Sequence, residues 1–279
     1  MEKKFYLALI LSGILLINRA QADPQLFGYI KSAETLPQGR WEIYQVTSVR
    51  SGKDSGSFRA IDAETEFELG LTNRLQGSVS ILQQHYQFNG VTGLTDGSFY
   101  RLTGVELESR YALSSVYKDP IGIALQAELA QRFYSPNDGE AESEFLLEPG
   151  LLLQKNFLDD TLSVVMNTNV EFAWATPQGG STEQELELSG ALGASYLFMA
   201  NWSVGLESRI RSSYSNFDLG QQQHVATYAG PCLHYANENW SLTAAWTPQV
   251  WGWGVGETGR QTFADETLQS ARLKLVFNF

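Results

Sequence analysis

The densest chemistry in this sequence is the run Asp62-x-Glu64-x-Glu66-x-Glu68, four carboxylates at every second position. Side chains alternate across a β-strand, so all four share one face. The same spacing recurs in Glu106 and Glu108, in Glu185 and Glu187, and, mixed with bases, in Arg110, Arg132, Glu207, Arg209 and Arg211. Carboxylates gathered around a channel attract cations by Coulomb forces, or pair with arginines in the interior. Nucleophilic or metal chemistry has thinner support. Of the three histidines, His224 and His234 are about 33 Å apart along a strand and cannot share an ion. His234 and Cys232, at i and i+2, could approach one. His85 with Asp96 is the remaining acid-base pair to consider. No residue is assigned a catalytic role, and no metal or cofactor is expected.

Whatever holds these charges is no ordinary soluble domain. Of 279 residues, 43% are hydrophobic and only 18% charged, below the average of about 25%. The net charge is −12, with no basic stripe, which excludes nucleic acid as a partner. A single cysteine, Cys232, rules out an internal disulfide. Lys3 and Lys4, an apolar run over 5–17 and a small-x-small ending at Ala20 and Ala22 make residues 1–22 a secretory signal peptide. The run is shorter than the ~20 residues a spanning helix needs. Cleavage after Ala22 leaves 16 basic against 30 acidic residues, a net charge of −14.

From residue 39 on, stretches with period-2 alternation are separated by turn chemistry. Twelve strands are expected, at 40–50, 58–71, 75–88, 99–113, 121–134, 143–155, 161–174, 185–198, 202–214, 223–235, 240–250 and 265–279. Their connections alternate between short turns (72–74, 114–120, 156–160, 199–201, 236–239) and long polar loops (51–57, 89–98, 135–142, 175–184, 215–222, 251–264). Transmembrane barrels show this alternation, with short turns in the periplasm and long loops outside. Pro149 and Pro231 each remove a ladder donor, and a bulge is expected at each.

The faces identify the solvent. In 121–134, Ile123, Leu125, Ala127 and Leu129 oppose Gln126, Glu128 and Arg132; in 161–174, Val164, Met166, Val170 and Phe172 oppose Asn167, Asn169 and Glu171. A membrane barrel turns the apolar face outward. Aromatics collect at strand ends, as membrane girdles require. Phe58, Tyr86, Phe88, Phe99, Tyr100, Phe133, Tyr134, Phe172, Trp174, Tyr214, Trp251 and Trp253 stand at the loop side. Tyr111, Tyr117, Phe157, Tyr196, Phe198, Trp202, Tyr235, Trp240 and Phe277 stand at the turn side. From Trp202 to Tyr214 a tilted strand spans about 30 Å of membrane normal.

The final strand alternates Leu273, Leu275, Phe277 and Phe279 with Arg272, Lys274 and Val276. This resembles the carboxy-terminal assembly signal of Gram-negative outer-membrane β-barrel proteins, and implies that Phe277 and Phe279 are read by the barrel assembly machinery. Stretches such as Gly104-Val105-Glu106-Leu107-Glu108 and Val204-Gly205-Leu206-Glu207 look like strands of that class, and 33–42 resembles the start of uncharacterised exported barrels. The His-Asp-Ser string of outer-membrane phospholipases is absent.

The expected architecture is therefore a closed antiparallel transmembrane β-barrel over residues 39–279, preceded by a periplasmic segment at 23–38, in a Gram-negative outer membrane. Its lumen is lined by Asp62, Glu64, Glu66, Glu68, Glu106, Glu108, Glu128, Glu144, Glu148, Glu171, Glu185, Glu187 and Glu207, against Arg110, Arg132, Arg209, Arg211, Arg272 and Lys274. Acids outnumber bases, so some must meet water or cations. A narrow acidic pore for small solutes follows, in contact with outer-membrane lipids and lipopolysaccharide. A barrel enzyme, or a surface-binding or structural barrel with a plugged lumen, is the alternative. The loop at 251–264, rich in Gly and Trp, suits either folding into the lumen or carbohydrate contact.

Overall fold

The computed structural model describes residues 25–263 and 265–279. The signal peptide expected at 1–22 lies outside the described residues. Twelve strands form: β1 Trp41–Ser51, β2 Ser57–Gly70, β3 Leu75–Asn89, β4 Gly97–Ser114, β5 Gly122–Tyr134, β6 Ala141–Phe157, β7 Leu162–Pro177, β8 Glu183–Met199, β9 Trp202–Ser215, β10 Gln222–Ala236, β11 Trp240–Gly254 and β12 Gln269–Asn278. Each pairs antiparallel with its sequence neighbours, and β1 pairs with β12, so the sheet closes into a barrel with no free edge.

Alternation dictates which face is which. Leu107, Leu125, Leu192 and Leu206 point outward and are exposed, while Glu108, Gln126 and Glu207 on the same strands point inward and are buried. An apolar exterior around a polar interior is the inverse of a soluble barrel. Connections alternate as expected. One end carries tight turns such as Ala200–Asn201, where Asn201 adopts φ 69°, a conformation asparagine tolerates. The other end carries the longer loops, the longest at 255–268. At the short-turn end Trp41 stacks on Phe279 (4.0 Å), and Tyr235 packs between Trp202 (4.9 Å) and Trp240 (5.0 Å).

The structure corrects four expectations. No register shift occurs at Pro149 or Pro231. Pro149 stays opposite Ala127 and Pro231 opposite Leu206, while the ladder on the other side of each is interrupted without slipping at the proline; the β10–β11 ladder shifts register earlier, between Thr227 and Tyr228. An antiparallel residue bonds to only one of its two neighbours, so a missing donor opens one ladder and leaves the other intact. Second, β12 starts at Gln269 rather than at 265, because Glu266 and Thr267 turn inward and are buried. Third, Phe58, Tyr86 and Phe88 belong to no lipid girdle. They face the lumen, where they are buried with Val91 and pack against Phe99 and Leu94 under the loop after β3. Fourth, the segment expected in the periplasm is inside the barrel: Phe27, Ile30, Ser32 and Ala33 are almost wholly buried. A peptide carrying large apolar side chains gains by leaving water, and this lumen offers it an apolar seat.

Candidate functional site

The lumen divides into two halves. Residues 25–36 fill the half nearer the short turns. Leu36 N donates to Gln76 Oε1 (2.7 Å) where the segment enters beside β3. It advances to Tyr29, then returns to Gln25, whose side-chain amide reaches the Tyr44 hydroxyl (3.0 Å). Wall side chains take up its backbone groups. The N–H groups of Tyr29, Lys31 and Ala33, at every second residue, donate to Glu207 (3.0 Å), Asn167 (2.7 Å) and Gln154 (3.1 Å). Asn167 also donates to Lys31 O (2.8 Å). The carbonyls of Gln25, Phe27, Gly28 and Glu34 accept from Thr243 (2.8 Å), Lys274 (3.1 Å), Arg272 (3.3 Å) and Arg110 (3.3 Å).

Side chains of the segment have their own seats. Leu26, Phe27 and Ile30 pack against Val165, Cys232 and Ala245 of β7, β10 and β11. Gly193 of β8 makes room for them: a Cβ there would meet Phe27 Cε1 at 2.6 Å and Ile30 Cδ1 at 2.7 Å. The Tyr29 ring lies between the guanidinium groups of Arg209 (3.7 Å) and Arg272 (4.1 Å), a favourable cation–π arrangement. Lys31 Nζ pairs with Glu108 and with Glu128 (3.3 Å). Glu106, Glu108 and Glu128 bring carboxylate oxygens within 4.8 Å of one another, so an ammonium group beside them offsets their repulsion.

The half nearer the loops is built from ion pairs around open space. Arg50 clasps Asp62 with two hydrogen bonds (2.6 and 3.0 Å), Arg132 meets Glu144 (3.1 Å), and Arg211 clasps Glu187 (2.9 and 2.6 Å). One cavity of about 300 Å³ is bordered by Glu144, Glu185, Ser213, His224 and Asp265; a second, of about 200 Å³, by Asp62, Glu64, Glu106, Arg132 and Arg272. The loop 255–268 folds against this half. Thr262 exchanges hydrogen bonds with the Gln249 side chain (2.8 and 3.0 Å), and Glu266 Oε2 accepts from the Tyr228 hydroxyl (2.8 Å). Burial raises the Glu266 carboxyl, but the Arg211 charge, the nearby His224 ring (3.7 Å) and the hydrogen bond from Tyr228 outweigh it and hold it down to about 2. Trp251 and Trp253, expected in this loop, belong instead to β11 and are exposed, while Thr262, Glu266 and Thr267 of the loop are buried.

Asp62, Glu108, Glu128, Glu144 and Glu187 are ion-paired, as are Arg110, Arg132 and Arg211. Arg209 stacks on Tyr29, and Glu207 binds its backbone. Glu64, Glu66, Glu68, Glu106, Glu148 and Glu171 make no ion pair within 4.0 Å among the described residues. Phe277 faces outward, and Phe279 closes on Trp41. The other candidates stay apart. His85 contacts Ser98 (3.0 Å) while Asp96 caps Gly90 N (2.7 Å); His234 bonds Thr243 (2.8 Å) and Cys232 faces Leu26 O (3.8 Å). Sequence reasoning missed Lys31, Tyr29, Asn167 and Gln154. The available signal was Phe27, Tyr29 and Ile30, three large apolar or aromatic residues in a stretch read as a solvated periplasmic lead.

Comparison with known proteins places this barrel. Residues 19–279 match a family of unknown function, DUF6662. The chain belongs to that family. No curated protein matches it in sequence. Among solved structures, the COG4313 outer membrane channel from Pseudomonas putida F1 is similar, with a TM-score of 0.63 at 12% identity over 88% of this chain and 98% of that one. The translocator domain of the autotransporter NalP from Neisseria meningitidis aligns at TM-score 0.54 and 11% identity, covering 86% of this chain and 89% of that one. The NanC porin aligns at 0.51 and 12% identity, covering 85% and 100%. At such identities the likeness is one of fold, and the fold is that of outer-membrane barrels.

Proposed function

We propose that this DUF6662 barrel sits in the outer membrane of a Gram-negative bacterium, among its lipids and lipopolysaccharide, and passes small solutes along a narrow lumen that prefers cations. It is inserted there by the barrel assembly machinery, and it carries out no covalent chemistry. The observation that carries the reading is the set of lumen carboxylates without an ion pair, Glu64 and Glu106 among them, bordering a cavity of about 200 Å³. Charges inside a barrel persist unpaired only where water or a mobile cation reaches them. The similarity to a channel and a porin supports the class of activity.

Single-channel recording of the refolded chain in a planar bilayer, with reversal potentials in a salt gradient, tests this. Cation preference is expected, and the triple variant Glu64→Gln, Glu66→Gln, Glu106→Gln should lower the cation-to-anion permeability ratio by about threefold or more, as removal of a charged ring does. An unchanged ratio in a conducting variant would sink the reading. The packed segment 25–36 favours a second one, a surface-binding or structural barrel whose lumen never conducts; a folded barrel silent under every condition would support it.

A further inference from the structure

Four features set the segment 25–36 apart from a tail caught in a lumen. Its backbone is bonded by wall side chains at residues from Gln25 to Leu36, and no backbone ladder joins it to a strand among the described residues. Its large side chains enter an apolar patch of the wall, Val165, Gly193, Cys232 and Ala245, and its Ala33 packs with Val116, Ala124 and Leu152. Its aromatic ring fills a slot between two guanidinium groups, and its ammonium group meets a carboxylate cluster. Its junction with β1, residues 37–40, is exposed at the mouth of the barrel. Side chains that bond an extended backbone in this way form a receptor for a peptide. Lacking strand pairing, the occupant can leave without unzipping any part of the barrel.

We propose that the short-turn half of the lumen is a peptide-binding site, that residues 25–36 are its tethered occupant, and that withdrawal of this occupant opens the barrel. The site takes an extended peptide with an apolar pair, an aromatic ring and a lysine at the spacing of Phe27, Tyr29, Ile30 and Lys31. The opening step rests on the channel reading above; the binding step does not.

The experiment folds the whole chain with a protease recognition sequence inserted in the exposed turn at 37–40, then cuts it after folding. Before cutting, conductance should equal that of the unaltered chain. After cutting and washing in detergent, conductance should rise about tenfold or more, and a labelled synthetic peptide of residues 25–38 should rebind by fluorescence anisotropy and restore the block. The same peptide with Lys31→Glu should bind at least about tenfold more weakly, the scale expected for losing charge-assisted hydrogen bonds. A cut segment that stays bound through washing would show a fixed structural part and overturn the proposal. So would a scrambled peptide that binds as well as the native one. Specific rebinding without any current would refute the channel reading and leave the binding site standing. If the insertion prevents folding, Gly193→Trp in the uninterrupted chain takes over Phe27's seat. It should raise conductance and the accessibility of the segment to protease; an unaltered digestion pattern would count against the proposal.

Discussion

The two halves of the lumen use the same arginine–carboxylate pairing in different solvents. In the short-turn half, Arg110 and Glu108 are paired at 2.9 Å with side chains only 4% and 5% exposed, sealed by the segment 25–36. In the loop half, Arg211 meets Glu187 at 2.6 Å, yet the Arg211 side chain is 41% exposed and faces open space. The first pair has been stripped of water and the second has not. One barrel therefore contains a dry region, where polar groups must find protein partners, and a wet one, where water completes the shells. The short-turn half seats the apolar side chains and backbone of the segment because it is dry; the loop half keeps its ion pairs partly hydrated because it faces open space.

The sharpest way to break this contrast is to remove one arginine from each half. Arg110→Leu strands a buried carboxylate and is expected to destabilise the barrel by about 3–5 kcal/mol, whereas Arg50→Leu in the loop half, whose partner Asp62 keeps 26% of its side chain exposed, should cost about 1 kcal/mol, because water can replace the lost partner. Urea midpoints in detergent micelles, followed by tryptophan fluorescence, measure both. Equal losses would mean that the loop half is as dry as the other. Asn167→Leu comes next. It leaves the N–H and C=O of Lys31 without their partners in the dry half, a loss of about 1–3 kcal/mol. Only the segment should loosen, so its protease sensitivity should rise while the urea midpoint of the strands moves little.

The barrel itself was legible because alternation is a local signal. Leu125 next to Gln126 and Leu129 next to Glu128 report their two solvents without knowledge of the rest of the chain. The lumen list rests on the same signal, since Glu64, Glu106 and Arg132 were drawn from strand parity alone. What stayed hidden depends on contacts remote in sequence. Lys31 finds Glu108 and Asn167 across 77 and 136 residues, and nothing near Lys31 announces them. Phe58, Tyr86 and Phe88 are a different case: they have the composition of a lipid girdle, although their parity with Asp62 and Gln84, a local signal, turns them inward. Glu266 and Thr267 continue the apparent strand pattern, and it is Tyr228 on another strand that draws them out of it.

The smallest of the expected effects sharpens the wet half alone. The Glu266 carboxyl, held at about 2 by Arg211, His224 and Tyr228, lies well below the ordinary value of about 4.3 for glutamate. A carboxyl depressed in the folded state stabilises that state above its unfolded pKa, and the contribution disappears as pH falls toward the folded one. The inward pose of the loop 255–268 should thus be constant from neutrality to about pH 4.5 and weaken between there and about pH 2. Trp251 and Trp253, which end β11 where this loop begins, report the change through their fluorescence. Glu266→Gln should abolish the transition in that window. If the transition persists in the variant, another acid of the loop half governs the pose, and the pairing of Glu266 with Arg211 (3.5 Å) is incidental to it.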